Sequence, residues 1–143
     1  MDIVAVGTAC AVECKRQMVG LPELGFLLEA YNWLYNYTDR VTVETFEILG
    51  SFVEPGKNRN GFRRVPVTFA NGGSSANASD IPRLMISLRD GIADLGQFGV
   101  NEIVRQFLWI HPFADGNGRV GFLLYNYLQG TLDSPLALPD YNW

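Results

Sequence analysis

The chain holds a single histidine, and it opens the run His111-Pro112-Phe113-Ala114-Asp115-Gly116-Asn117-Gly118-Arg119. A neutral imidazole, with an unperturbed pKa near ~6.5, is suited to accept a hydroxyl proton at physiological pH. Asp115 is a hard oxygen ligand of the kind that holds Mg²⁺ jointly with substrate phosphates. Gly116-Asn117-Gly118 opens a helix, and its two glycines let backbone N–H groups approach an anion at the positive end of the helix dipole. Arg119 adds a fixed charge that can pair with a phosphate and stabilise charge developing during transfer. Taken singly, each residue has a plainer use: a core or surface histidine, a helix cap at Asp115, a surface ion pair at Arg119. Gathered in nine residues, they are the parts needed to move a phosphorus-centred group onto a hydroxyl.

Positioning that run requires two helices that meet at a loop. Ile103, Val104, Phe107, Leu108 and Ile110 predict a helix over about 100–110. It must end near Pro112, because the residue before a proline is driven out of the α region, so His111 is expected to be extended. Val120, Leu123, Leu124, Tyr127 and Leu128 predict one buried stripe on a helix from Asn117 to Gln129, with Gly130 as its stop. Upstream, helices are predicted over 8–19, over 22–36, over 42–52 with Thr42 as cap, and from Ile81 to about Leu95 with Asp80 as cap. Residues 55–79 break the helical pattern. There Val65, Val67 and Phe69 alternate around Pro66 and Thr68, which predicts a short edge strand, and Asn71-Gly72-Gly73 predicts a turn. The economical reading is a two-stranded flap over about 62–72.

At 143 residues, the chain is expected to form one domain, residues 1–143. A chain of this size buries roughly two-thirds of its unfolded surface. With 48% apolar residues and 13% aromatic ones, it has the material for a core. The formal charge is −4, and the only lysines are Lys15 and Lys57. That balance argues against a nucleic-acid partner, which needs a basic face, and against a membrane-surface role. No apolar run approaches the ~18 residues of a spanning helix, and the first residues lack the basic segment of a signal peptide. A cytoplasmic location is therefore expected, that of a host cell if the chain is an effector. Cys10 and Cys14 are expected to be two small buried thiols, since no further zinc ligands accompany them.

The nine-residue run resembles the signature of the Fic (filamentation induced by cAMP) family, His-x-Phe-x-Asp/Glu-Gly-Asn-Gly-Arg-x-x-Arg. Gly61-Phe62-Arg63-Arg64-Val65-Pro66-Val67 resembles the family's flap segment, and Ile81-Pro82-x-x-Met85-x-x-Leu88 its next helix. With Thr42-x-Glu44 through Val53, the similarity covers roughly residues 22–139. The resemblance implies a mainly α fold, a compact Fic-type helical bundle with a short β-hairpin flap over the active site. It also implies transfer of AMP from ATP to a Ser, Thr or Tyr hydroxyl of a target protein. His111 would deprotonate the hydroxyl and Asp115 would hold Mg²⁺ on the donor phosphates. Gly116, Asn117 and Gly118 would position the diphosphate, and Arg119 would neutralise it. The flap residues Arg64, Val65, Pro66, Val67 and Thr68 would align the target by strand addition, with alternate residues meeting the target and packing down.

One departure stands out. The last arginine of the signature is absent, and position 122 is Phe122. In the family that arginine meets the γ-phosphate of ATP or a glutamate of a self-inhibitory Ser/Thr-x-x-x-Glu-Gly/Asn motif. No glutamate here has Ser or Thr four residues before it, so lock and arginine are missing together, and a separate inhibitor protein could fill that role. Three readings follow: an AMP transferase without a built-in lock, a transferase using UTP or a diphosphate conjugate, or a catalytically weak module that binds a partner.

Overall fold

A computed structural model describes residues 1–69, 73–95 and 99–141. Asp2 starts the first helix by accepting a hydrogen bond from the Ala5 N–H at 3.0 Å. That helix, α1, spans Ile3–Arg16, and Met18 in a left-handed conformation (φ 61°) turns the chain out of it. It begins five residues before the predicted 8–19, because the capping role of Asp2 is local chemistry that apolar spacing does not display. α2 (Leu21–Tyr35) follows. α3 (Val43–Val53) opens on Thr42, whose side chain and that of Thr45 each accept the other's backbone N–H.

A 3₁₀ turn at Ala78–Asp80 leads into α4 (Ile81–Ala93). Asp80 holds the cap position but makes no capping hydrogen bond; it lies 3.5 Å from Arg83 instead. α5 (Val100–Ile110) and α6 (Asn117–Gln129) complete the bundle, and Gly130, with φ 72°, stops α6 as predicted. None of the described helices is long and apolar enough to cross a membrane.

The fold is mainly helical, with α6 at its centre. α6 packs on α1, α2, α3 and α5, so its residues from Val120 to Asn126 are buried all round rather than along one stripe. Phe46 of α3 stacks on Phe107 of α5 with ring centroids 5.6 Å apart. Cys10 and Cys14 are buried free thiols, and burial pushes Cys10 up to about 12, so it is an inert thiol. The tail after α6 folds back over the bundle: the Asn126 side chain holds both Leu136 backbone groups, and the Arg16 guanidinium donates to the Leu138 carbonyl at 2.6 Å.

Between α3 and α4 the described part of the flap is one antiparallel bridge, Thr68 with Ser74, supported by the Phe69 N–H to the Gly73 carbonyl at 2.7 Å. The expected edge strand around residues 65–69 is therefore reduced to a single pairing; residues 70–72 of the expected flap lie outside the described residues. Edge chain with Pro66 in it has few N–H groups to pair, which accounts for the short ladder.

Gly50 of α3 sits directly beneath the Phe113 ring, and a Cβ there would overlap that ring. Gly50→Ala should therefore destabilise the fold by about 1–3 kcal/mol through overpacking. Gly25→Ala on α2, where a Cβ meets nothing within 4 Å, should stabilise it by about 0.5–1 kcal/mol. Urea unfolding midpoints check both, and a Gly50→Ala protein as stable as its parent would refute the close packing.

Candidate active site

α5 delivers His111 to the site. The His111 N–H still bonds the Phe107 carbonyl at 3.0 Å, but its own backbone is left-handed, φ 52° and ψ 59°. The extended conformation expected before Pro112 is not adopted; His111 is the left-handed cap that ends the helix, a strained state for a non-glycine residue. Its Nδ1 lies 3.2 Å from the Leu108 carbonyl. A carbonyl only accepts, so the ring proton belongs on Nδ1 and Nε2 keeps its lone pair. Burial pulls the imidazole below its ordinary pKa, assisted by the nearby Arg63 charge and opposed by the Leu108 bond and Asp115. The ring is therefore neutral at physiological pH.

What holds this strained turn is Arg63, a residue that the sequence reading assigned no role. Its side chain is buried, and it donates to the His111 carbonyl at 2.6 Å, the Ile110 carbonyl at 3.1 Å, the Ala76 carbonyl at 2.7 Å and the Val65 carbonyl at 2.8 Å. A fifth bond reaches Ser75 Oγ at 3.0 Å, and the Arg63 N–H donates to the Pro112 carbonyl at 2.8 Å. One guanidinium thus satisfies the orphan carbonyls at the end of α5 and ties them to both sides of the flap.

Asp115 is placed by a second set of contacts. Asn58, fully buried, donates from its amide to the Asp115 carbonyl at 2.8 Å and to the Gly50 carbonyl at 3.0 Å. The Asp115 carboxylate accepts the Gly116 N–H at 2.8 Å and the Lys57 ammonium at 2.7 Å. Partial burial raises the carboxyl, but the Lys57 and Gly116 hydrogen bonds and the charges of Lys57 and Arg119 outweigh it and hold Asp115 below its ordinary value. Among the described residues no three His, Cys, Asp or Glu side chains gather as a metal cage. One half-exposed carboxylate that already carries a cationic ammonium fits Mg²⁺ held jointly with donor phosphates.

The remaining signature residues are placed unequally. Gly116 has φ 83°, and a Cβ there would lie 2.9 Å from Val53, so both conformation and space call for glycine. The Asn117 side chain, expected to contact a diphosphate, is buried and braces the loop: it accepts from the Phe113 N–H at 3.0 Å and donates to the Phe113 carbonyl at 2.9 Å. Gly118 lies under the side-chain amide of Gln17, from the end of α1. Arg119 is 1% exposed and sits behind the loop, 2.9 Å from Glu54 and 3.6 Å from Asp115. Its reach to a ligand runs through Asp115 and through its field, not through direct contact in this arrangement. Phe122 is 1% exposed and belongs to the core, so an arginine there would bury a charge rather than reach a γ-phosphate.

His111, Gly118, Gln17, Phe69, Leu138 and Tyr141 share one cleft of about 190 Å³. Phe69 of the flap meets the His111 ring edge-on at 5.1 Å between centroids. Along the flap, Arg64, Val65, Pro66 and Thr68 are exposed and Val67 is half-buried, so the expected alternation of outward and inward residues holds at Val67 and fails at Val65. Arg63, Asn58, Lys57 and Glu54 are the site residues that sequence reasoning missed. The Gly61-Phe62-Arg63 segment was the available signal for Arg63.

A model of the Fic/DOC family matches residues 100–129, which are α5, the loop and α6. The chain is also similar to the crystal structure of a Fic domain containing signaling protein from Bacteroides thetaiotaomicron, with a TM-score of 0.56 and 24% identity. That likeness covers 74% of this chain and 45% of the other, so this chain matches less than half of that protein's length. No curated protein matches it. The family model thus matches the loop with its two flanking helices, and the likeness to the solved structure is one of helical fold.

Arg63→Met should destabilise the fold by at least about 2 kcal/mol, because each buried carbonyl left without a donor costs about 1–3 kcal/mol. Arg63→Lys should rescue only part of that, since one ammonium cannot span five acceptors. Exposed Arg64→Ala should stay within about 0.5 kcal/mol of the parent. Urea unfolding separates these cases, and equal stability of the Arg63 and Arg64 variants would contradict the pinning role.

Proposed function

We propose that the domain transfers a nucleoside monophosphate, AMP from ATP, to a Ser, Thr or Tyr hydroxyl of a target protein. Fic domains commonly transfer nucleotide or other groups to proteins, and the match here spans the loop that carries the chemistry. The observation that carries the reading is the His111 ring: Nδ1 is engaged by Leu108, burial keeps the ring neutral, and the ring lines the same cleft as Gly118. Nε2 would take the proton of the target hydroxyl as its oxygen attacks the α-phosphorus. The new P–O bond forms as the bond to the bridging oxygen breaks, and pyrophosphate leaves with the electron pair. Asp115 would hold Mg²⁺, which supplies positive charge to the donor phosphates. The N–H groups that open α6 at Asn117 and Gly118 would meet the diphosphate, since the first turn of a helix leaves them without intrahelical partners. Arg119 supports this from behind, and the exposed flap backbone at 64–68 would take a target strand.

Burial of Phe122 favours a second donor class. With no arginine for a third phosphate, a diphosphate conjugate, which has none, meets the same loop as well as ATP does. Intact-mass spectrometry of candidate targets, and of the protein itself, after incubation with Mg²⁺ and each donor tests both readings. His111→Asn, which tolerates the left-handed backbone, should lower transfer on the order of 10²–10⁴-fold. Because the base must be neutral, activity should fall as pH drops through a pKa below the ordinary imidazole value. A retained adduct in the asparagine variant would sink the base assignment. Absence of any adduct with every donor would leave a partner-binding module.

A further inference from the structure

Lys57 is one of two lysines in the chain, and its ammonium lies 2.7 Å from the Asp115 carboxylate across 58 residues of sequence. The contact is built rather than incidental. Asn58, next in sequence, is 1% exposed and bonds the Asp115 carbonyl at 2.8 Å and the Gly50 carbonyl at 3.0 Å. The Asn58 N–H in turn bonds the Glu54 carbonyl at 2.9 Å, so the stem of Lys57 emerges from a fixed backbone beside the motif loop. The lysine side chain itself is 63% exposed and makes no second carboxylate contact among the described residues, so its head can leave without disturbing the fold. Asp115 Oδ1 is taken by the Gly116 N–H and faces Arg119 at 3.6 Å; Oδ2 is the oxygen that Lys57 holds.

We propose that Lys57 is a resident counter-ion of Asp115, which a divalent cation must displace from Oδ2 before the carboxylate can serve as its ligand. This rests on the reading of Asp115 as the metal ligand and adds a positioning residue to it. One ammonium and one divalent cation cannot share the same oxygen at ligand distance, so the two compete. The device keeps Asp115 neutralised and oriented when no metal is present. It also biases the site against bare cations and toward cations that arrive with donor phosphates, because phosphate oxygens offer the displaced ammonium a new anionic partner. Lysine suits this exchange better than arginine: it is a point charge on a flexible stem and holds no bidentate grip.

The test is binding of Mn²⁺ alone, without nucleotide, measured by calorimetry or by the electron paramagnetic resonance of unbound Mn²⁺. Lys57→Ala should bind Mn²⁺ roughly two- to fivefold more tightly than the parent, the range expected for release of a half-exposed ion pair. Lys57→Arg should bind no more tightly than the parent. Arg59→Ala, which removes the same charge two residues away, should change the affinity by clearly less than Lys57→Ala. Asp115→Asn should lose the site. If Asp115→Asn weakens Mn²⁺ while Lys57→Ala matches the parent, the metal reading stands and the counter-ion proposal is overturned. Equal gains in Lys57→Ala and Arg59→Ala would also overturn it, as a general charge effect. If Asp115→Asn binds Mn²⁺ as the parent does, no bare cation reaches Oδ2 and the proposal falls; the metal reading falls as well only if Asp115→Asn also matches the parent in binding Mn²⁺ together with inorganic pyrophosphate.

Discussion

The site depends on a buried guanidinium at the end of a helix. A helix that stops leaves its last carbonyls without partners, and a buried stop is costly unless something donates to them. Arg63 meets that need at Ile110 and His111 and extends the same fork to Val65 and Ala76. Burial lowers the Arg63 pKa from its ordinary value, yet an arginine stays charged, so the fork is permanent. Its consequence is that His111, the flap and the exit of α5 cannot shift independently. The left-handed backbone at His111 persists because its surroundings over-determine it, and the ring is turned so that Nδ1 meets Leu108.

On the other side of the loop, Asn58 and Asn117 do for Asp115 and Gly116 what Arg63 does for His111. Asn58 joins the loop to the end of α3, and Asn117 closes the loop on Phe113. Phe113 is fully buried against Gly50 and tilts on Phe62 at 5.5 Å between centroids. Two charged pairs then bracket Asp115, the buried Arg119–Glu54 pair behind it and the exposed Lys57 in front. The asymmetry has meaning: removing a partner from a buried pair strands a charge, whereas an exposed ammonium exchanges at little cost. The loop thus has a fixed back and a replaceable front.

Much of this was legible in the sequence, and the reason differs by element. α2, α3, α5 and α6 fall within about two residues of their predicted bounds, because their starts and stops rest on local signals at Pro22, Thr42, Pro112 and Gly130. α1 was placed late because its cap is a single residue beside the chain start. The signature loop was readable as a unit, but the burial of Asn117 and Arg119 was not, since it follows from α6 being central. Lys57 and Asn58 read as a polar surface loop; their partners lie 58 and 57 residues away, beyond any local pattern. Phe122 looked like a lost phosphate contact and is a core residue, because periodicity gives a face and not what that face meets.

The fold presents a neutral His111 with its proton on Nδ1 and its Nε2 lone pair open. Because this is the only histidine, nitrogen-15 NMR of the imidazole reads it without assignment. The predicted result at pH 7.5 is the Nδ1–H tautomer, titrating with a pKa below the ordinary imidazole value. An Nε2–H tautomer, or a pKa at or above that value, would contradict the account.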